Sequence, residues 1–289
     1  MKNLFLASVL SASIVLPLYG EDDSYILAVA GEPIPAGTVA EYASVMSMSD
    51  GVVKVTMQGQ PMDGSADMKT VEKRRVESLA DGSYRYLLIE EVETQKMTMM
   101  GQPQEMPAKV NPLVGKPVMV TKGADGVWVA KLEEGEATPD MISELEDVAK
   151  GLNEDEDAKL YGTVPRKVGD EWDVESADLM GIDNGAGTFK VKFEGIEDFQ
   201  GERCAKITGT YEIKGLGPDA DAGESEMTIS LKGDYLSYRS LEGRYDVRKE
   251  MKGSMVMESV MEPQPGMTME MNMSGNMTAE GTIKIVSAE

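Results

Sequence analysis

The sequence predicts a mainly β protein whose antiparallel sheets form two β-rich halves (barrel, half-barrel or sandwich) joined by one helix. Apolar and polar residues alternate in many short runs, as in 188–193, where Phe189, Val191 and Phe193 share one side of a strand. Turn signals such as Asp125-Gly126 separate these runs. Alternation, rather than continuous apolar runs, argues against a parallel α/β sheet.

The N-terminus predicts a signal peptide in residues 1–20. A short positively charged start at Lys2 is followed by an apolar stretch, 4–18, that is too short for a membrane span of about 20 residues. We prefer cleavage after Gly20, although Ala28-Val29-Ala30 fits the small-residue pattern better. The mature protein is therefore expected to be periplasmic or secreted and to have no membrane span.

Composition restricts the chemistry. The formal net charge is −23, so nucleic acids and anionic membrane surfaces are disfavoured partners. Because the chain contains no histidine, Ser-His-Asp and Cys-His catalysis and the usual zinc sites are excluded. No cofactor is predicted, and a non-enzymatic protein is favoured. Cys204 is the only cysteine and lies in an alternating run, which favours a buried thiol.

The predicted strands occupy two regions, 21–135 and 161–289. The runs that predict them are 51–57, 79–98, 118–120, 127–132, 188–193, 205–213, 227–231, 235–251 and 282–286. A helix and an acidic connector are predicted between these regions, in 136–160. The helix begins with the cap Thr138 and with Pro139, carries apolar residues at helical spacing and is expected to end at Gly151, before the acidic run 153–157.

The most unusual feature is methionine, of which the chain has 23. Three Gln- and Pro-containing turns are each flanked by methionines, at 57–62, 100–106 and 261–267. The six flanking methionines are the candidate ligand-binding residues: Met57, Met62, Met100, Met106, Met261 and Met267. Four methionines at a period of two lie on one face of a strand and are the candidate metal ligands: Met267, Met269, Met271 and Met273.

Three interpretations of this pattern are open. Flexible thioethers fill gaps in protein cores, so the methionines are compatible with a core stripe. This core packing is the favoured interpretation of the pattern alone. Methionines are also found on adaptable surfaces for an apolar ligand or a protein partner. Soft thioethers also select Cu(I), although histidine ligands are absent here.

One stretch resembles a known group of proteins. Residues 164–173 contain Val168-Gly169-Asp170-Glu171-Trp172, which resembles the G-D-x-W element of an uncharacterised family of secreted bacterial β-rich proteins of about this length. A Gly-Lys-Pro-Val segment at 115–118 resembles a second element of that family. The resemblance implies a β-rich fold but no activity and no functional residues. Trp172 itself is expected to be a structural anchor.

The sequence therefore predicts an exported, non-enzymatic protein whose role it does not specify. Our hypothesis is that the protein binds an apolar ligand or a protein partner through its methionine-rich strands. A methionine-based Cu(I)-binding protein is the alternative. A hydrolase that uses some of the 51 Asp and Glu residues is the third possibility.

Overall fold

A computed structural model describes residues 23–29, 35–153, 156–174, 183–216, 225–264 and 267–287. The predicted leader, 1–20, and the middle of the predicted acidic connector, 154–155, lie outside these ranges.

Strands dominate the described chain, as predicted. In chain order they are β1 (Ser24–Tyr25), β2 (Thr38–Met57), β3 (Gln60–Ser78), β4 (Tyr84–Met99), β5 (Gln102–Glu105), β6 (Lys109–Val110), β7 (Pro117–Lys122), β8 (Trp128–Leu132), β9 (Arg166–Lys167), β10 (Glu171–Val174), β11 (Asp183–Phe199), β12 (Glu202–Leu216), β13 (Ser225–Ser240), β14 (Asp246–Gln264) and β15 (Met267–Ser287). Two helices, α1 (Pro139–Asn153) and α2 (Glu156–Tyr161), lie between β8 and β9.

Thirteen of these strands form one antiparallel sheet in the order β10-β11-β12-β13-β14-β15-β2-β3-β4-β7-β8, with β5 and β6 also pairing to β4. The pairing of β15 with β2, from Met269–Met57 to Ser287–Thr38, joins the two predicted halves into this single sheet. Over the described residues β8 and β10 do not pair with each other, so the sheet stays open. A separate two-stranded sheet pairs β1 with β9.

The sheet has one apolar face. Directly opposed residues in antiparallel strands share a face, and the registers place Phe189, Tyr211, Met277, Met48 and Met68 in one row that crosses seven strands, from β11 to β3. All three clusters of buried apolar side chains are built on this face. Residues of α2 and 27–28 pack on it at the β10 end, and residues of α1 pack on it at the β8 end.

Two β-bulges keep the apolar residues on this face. Met48 and Val53 have opposite parity in β2, and a register shift between Met48 and Gly51 brings both to the apolar side. A second shift, between Lys73 and Arg74, corrects a prediction. Alternation in the predicted run 79–98 puts Glu90 on the same face as Leu88, but the structure places Glu90 on the polar face, where its carboxylate is 2.6 Å from Lys73 Nζ.

The predicted helix is confirmed, with two corrections at its C-terminal end. Thr138 Oγ1 accepts a hydrogen bond from the Met141 amide at 3.4 Å, as expected of an N-cap. Gly151 does not end α1, which continues to Asn153. The acidic run was predicted to be a solvated connector, but its last residues, 156–157, begin α2 because this turn docks on the sheet.

One strand prediction was wrong. The run 235–251 was predicted to be continuous, but the chain turns between Ser240 and Asp246 and the two segments form adjacent strands. The β-prone residues on both sides concealed this turn, in which Gly243 N donates to Ser240 Oγ at 3.0 Å.

A buried polar network fixes α2 to the sheet. Tyr161 donates its hydroxyl hydrogen to Asp246 Oδ1 at 2.7 Å. Arg239, of which only 1% is exposed, donates to the carboxylates of Asp246 and Asp157 at 3.2 and 2.8 Å and to the Leu27 carbonyl at 2.6 Å. This guanidinium therefore ties together three segments that lie far apart in the sequence.

Candidate functional site

The methionines converge on one area of the apolar face. Five neighbouring strands, β14, β15, β2, β3 and β4, contribute ten of them, which cluster around Val53, Val55 and Ala66. We call these ten the methionine face: Met48, Met62, Met68, Met97, Met99, Met255, Met257, Met269, Met271 and Met273.

The strand registers explain this convergence. Met257 lies opposite Met273, and Met269 lies opposite Met57. Opposed side chains in antiparallel strands have Cβ atoms about 4.5–5.5 Å apart, so their thioethers are within contact distance. The period-two spacing of Met269, Met271 and Met273 keeps all three on this face.

The three methionine-flanked turns lie at the same end of the sheet. They join β14 to β15, β2 to β3 and β4 to β5, and the pairs Met269–Met57 and Gly64–Met99 fix the strands that carry them side by side. Successive turns are two strands apart, or about 10 Å. Two of them have positive φ at Gln58-Gly59 and Met100-Gly101, as in the two-residue turns that close hairpins.

The methionine face is only partly covered. Met48 and Met273 are buried, with 3% and 5% exposed, whereas the other eight methionines are partly exposed. Every member belongs to the sheet, and no described helix residue is among them. The opposite face of these strands carries polar residues such as Lys54, Asp63 and Glu258. An antiparallel sheet ordinarily covers its apolar side with a second layer, so this area is a candidate binding surface.

Some of the methionines predicted from the sequence belong to the methionine face, and others lie outside it. Met62 lies in the face, and Met57 is half-buried beside the β2–β3 turn. Met100 and Met106 lie outside the cluster, 74% and 47% exposed. Met261 and Met267 occupy β14 and β15, but their side chains lie outside the described part of the structure. Of the predicted metal ligands, Met269, Met271 and Met273 belong to the face.

The sequence interpretation missed Met48 and Met68. Strand β3 was not predicted because the run 69–75 is highly charged. A signal was present nonetheless. Residues 62–68 alternate between Met, Gly or Ala on one side and Asp or Ser on the other, which is the strand period of two.

A pair of carboxylates occupies the α1 side of the apolar face. Asn111 Nδ2 donates to Glu91 Oε2 at 2.9 Å and to Glu144 Oε2 at 2.6 Å, which links α1 to β4. Burial, with the charges of Glu72 and Glu144, raises the pKa of the Glu91 carboxyl. These hydrogen bonds give the two carboxylates a structural role, which is to connect α1 to β4 through Asn111. A carboxylate-based hydrolase stays a prediction.

Cys204 and Trp172 both have contacts that indicate a structural role. The Cys204 thiol is fully buried, as predicted, and burial raises its pKa to about 11. Trp172 donates its indole hydrogen to the Leu160 carbonyl at 2.9 Å, and the Arg166 guanidinium lies 4.4 Å from the centroid of its rings. These contacts fasten α2 to β10, in keeping with an anchor role.

Among the described residues, no three His, Cys, Asp or Glu side chains are grouped so that they could hold a metal ion. None of the described helices is long and apolar enough to span a membrane.

No protein-family model and no curated protein matches the chain. Several solved structures match over most of its length. Lipovitellin, from a study of its lipid–protein interactions, matches with a TM-score of 0.40 and 10% identity over 89% of this chain and 26% of lipovitellin. This chain therefore spans about a quarter of the lipovitellin chain.

Two further matches have lower TM-scores. The outer membrane protein OprG from Pseudomonas aeruginosa matches with a TM-score of 0.29 and 5% identity, over 86% of this chain and 96% of OprG. A DUF1329 family protein from Desulfovibrio piger matches with a TM-score of 0.13 and 11% identity, over 83% of this chain and 85% of that one. With TM-scores below 0.5, these similarities assign neither a family nor a ligand.

Proposed function

We propose that the chain is an exported protein that binds an apolar ligand on its methionine face. The observation that supports this most strongly is the cluster of ten methionines on five adjacent strands, eight of them partly exposed. A contiguous apolar patch that is exposed to solvent is typical of a binding site and uncommon on the rest of a protein's surface. Unbranched thioether side chains change rotamer at low cost, so the surface can fit ligands of different shape.

The export part of the proposal depends on residues 1–20, with their apolar stretch and following small residue. N-terminal sequencing of protein recovered from the periplasm or the medium is expected to begin at Glu21. Recovery of the protein with its first 20 residues still attached would contradict export by this signal.

The binding part is tested by NMR of protein carrying [methyl-¹³C]methionine. Titration with a neutral alkyl-chain compound is expected to shift the methyl signals of Met62, Met68, Met257 and Met271. The exposed Met100, outside the face, is an internal control whose signal stays in place. Shifts confined to residues outside the face, or the absence of any shift, would exclude an apolar ligand on this surface.

Matched variants locate the interaction. Met271→Gln makes the face more polar at nearly constant volume, and we expect it to weaken binding roughly tenfold, or about 1.4 kcal/mol. Thr56→Gln adds the same amide to the polar face of the neighbouring strand, where no effect on binding is expected. If a protein partner occupies the face instead, alkyl compounds cause no shift while an added partner protects the same methyl groups from the solvent.

A second candidate, Cu(I) binding, is supported by the opposition of Met257 and Met273, with Met271 on the same face. Three thioethers can provide the soft ligands that this ion prefers. Anaerobic titration against a competing Cu(I) chelator would show binding that is lost in a Met257→Leu, Met273→Leu double variant. Leucine preserves the apolar volume, so alkyl-chain binding is expected to survive in that variant, which separates the two functions.

A further inference from the structure

Tyr211 occupies the part of the apolar face that adjoins the methionine face. It lies in β12, opposite Phe189 on one side and Gly233 on the other. Its ring packs edge-on against Phe189, with 6.0 Å between the ring centroids, and only 2% of the residue is exposed. Met255 packs against the cluster that contains Tyr211 and also belongs to the methionine face.

The hydroxyl of Tyr211 is buried without a hydrogen-bond partner among the described residues. The two other tyrosines in this core differ, because the hydroxyls of Tyr161 and Tyr235 lie 2.7 Å apart and bond to each other. Burial raises the pKa of Tyr211 to about 12, so the group carries its proton at neutral pH and can donate a hydrogen bond. Buried polar groups nearly always have a partner, so this donor calls for an explanation.

Two glycines give the hydroxyl its position. Gly233 in β13 and Gly253 in β14 lie opposite each other and carry no side chains above the sheet. A Cβ atom at Gly233 would be 2.7 Å from Tyr211 Oη, so the hydroxyl lies over β13. Since β14 and β15 follow β13 in the sheet, the phenol leans from β12 towards the methionine face, in the row that continues through Met277 and Met48.

We propose that Tyr211 is the polar contact of the bound ligand, so that the ligand is an acyl-chain compound with a carbonyl oxygen at one end. The oxygen accepts the hydrogen bond from Tyr211 Oη while the chain lies across the methionine face. This inference rests on the proposed function. It adds a ligand class and a specificity-determining residue, because a plain hydrocarbon leaves the hydroxyl without a partner.

The test compares two neutral ligands of matched chain length, methyl decanoate and dodecane, by titration of [methyl-¹³C]methionine protein. We expect wild-type protein to bind the ester more tightly than the alkane. Tyr211→Phe keeps the ring and removes the donor, so ester affinity is expected to fall roughly five- to tenfold while alkane affinity is unchanged. Tyr238→Phe removes a hydroxyl from the polar face of β13 and is expected to change neither affinity.

The unfolding midpoint of ligand-free Tyr211→Phe provides a second readout. We expect it to equal or exceed that of wild type, because an unpaired buried hydroxyl is removed. A lower midpoint, with ester affinity unchanged, would show that the hydroxyl has a structural partner and would overturn the inference. Equal binding of ester and alkane, insensitive to Tyr211→Phe, would overturn it while leaving the proposed function intact. Failure of both compounds to move the face methyl groups would overturn both.

Discussion

Arg239 and Asp246 form an ion pair inside the protein, with 3.2 Å between Arg239 Nη1 and Asp246 Oδ1 and side-chain exposures of 1% and 8%. The same carboxylate oxygen accepts hydrogen bonds from Tyr161 and Ser237, each at 2.7 Å. Water cannot reach this site to solvate a charge that loses its partner. Because α2 contacts the pair through Tyr161 and Asp157, the pair holds α2 on the sheet.

Removing the Asp246 charge is expected to destabilise the protein strongly. Asp246→Asn keeps the shape and one acceptor oxygen but leaves the buried Arg239 with only the Asp157 carboxylate, and breaking a buried pair typically costs about 3–5 kcal/mol. Chemical denaturation measures the loss. Glu133→Gln is the matched control, since it breaks the exposed Arg85–Glu133 pair of 3.0 Å and is expected to change the free energy of unfolding very little. Equal losses in both variants would contradict the role given to Asp246.

Glu91 is expected to make the protein less stable as pH rises. Burial is the main cause of its raised pKa, so the folded state holds the proton more tightly than the unfolded state. The stability contributed by this group is fully present below the pKa of about 4.5 that a glutamate has in the unfolded chain, and it is lost as pH rises through the folded pKa. Glu91→Gln, which is neutral at every pH, should therefore gain stability relative to wild type between pH 4 and pH 7.

Glu194 provides a control of opposite sign. A hydrogen bond from the Thr208 hydroxyl, 3.0 Å long, and the Lys192 ammonium lower the pKa of its carboxyl. Its stability contribution is present above the unfolded pKa and is lost as pH falls through the folded pKa. Glu194→Gln should therefore lose stability relative to wild type as pH rises from about 2 to about 5, and the difference should then stay constant up to about pH 7. Parallel slopes for the two variants would contradict the assigned causes.

Cys204 is expected to be inert in the folded protein. Its thiol is fully buried, and burial raises its pKa to about 11, so almost no reactive thiolate is present at pH 8. A chromogenic thiol reagent should react with about one equivalent of thiol in denaturant and with essentially none under native conditions. Rapid native labelling at pH 8 would show that β12 opens to the solvent.

The local features of the fold could be predicted from the sequence, because short-range rules determine them. Thr138 and Pro139 mark the start of α1, and the alternation in 188–193 lies within β11. The methionine-flanked turns indicate hairpins because each joins two strands that the chain visits in succession. The presence of a methionine-rich strand face could be predicted for the same reason.

The long-range features could not be predicted in this way. Nothing in a single sequence indicates that β15 pairs with β2, which brings the third methionine turn beside the first. The bulge after Met48 reverses the parity of β2, so simple alternation assigns one half of this strand to the wrong face. In the sequence, Arg239 and Asp246 are indistinguishable from surface charges. Only the turn between Ser240 and Asp246 shows that they lie opposite each other in adjacent strands.

Substitutions of Met273 and Met269 distinguish a packed core stripe from an open binding face. Met273 is 5% exposed and lies between Met257 and Val53, so Met273→Ala should leave a cavity and cost about 2–5 kcal/mol. Met269, on the same strand and face, is partly exposed, and water can enter the space that Met269→Ala creates. We therefore expect Met269→Ala to destabilise the protein by clearly less than Met273→Ala, as measured by denaturant unfolding, while it weakens binding of an alkyl ligand. If both variants lost the same stability and neither affected binding, the methionines would be core filling alone and the ligand would have to be sought elsewhere on the molecule.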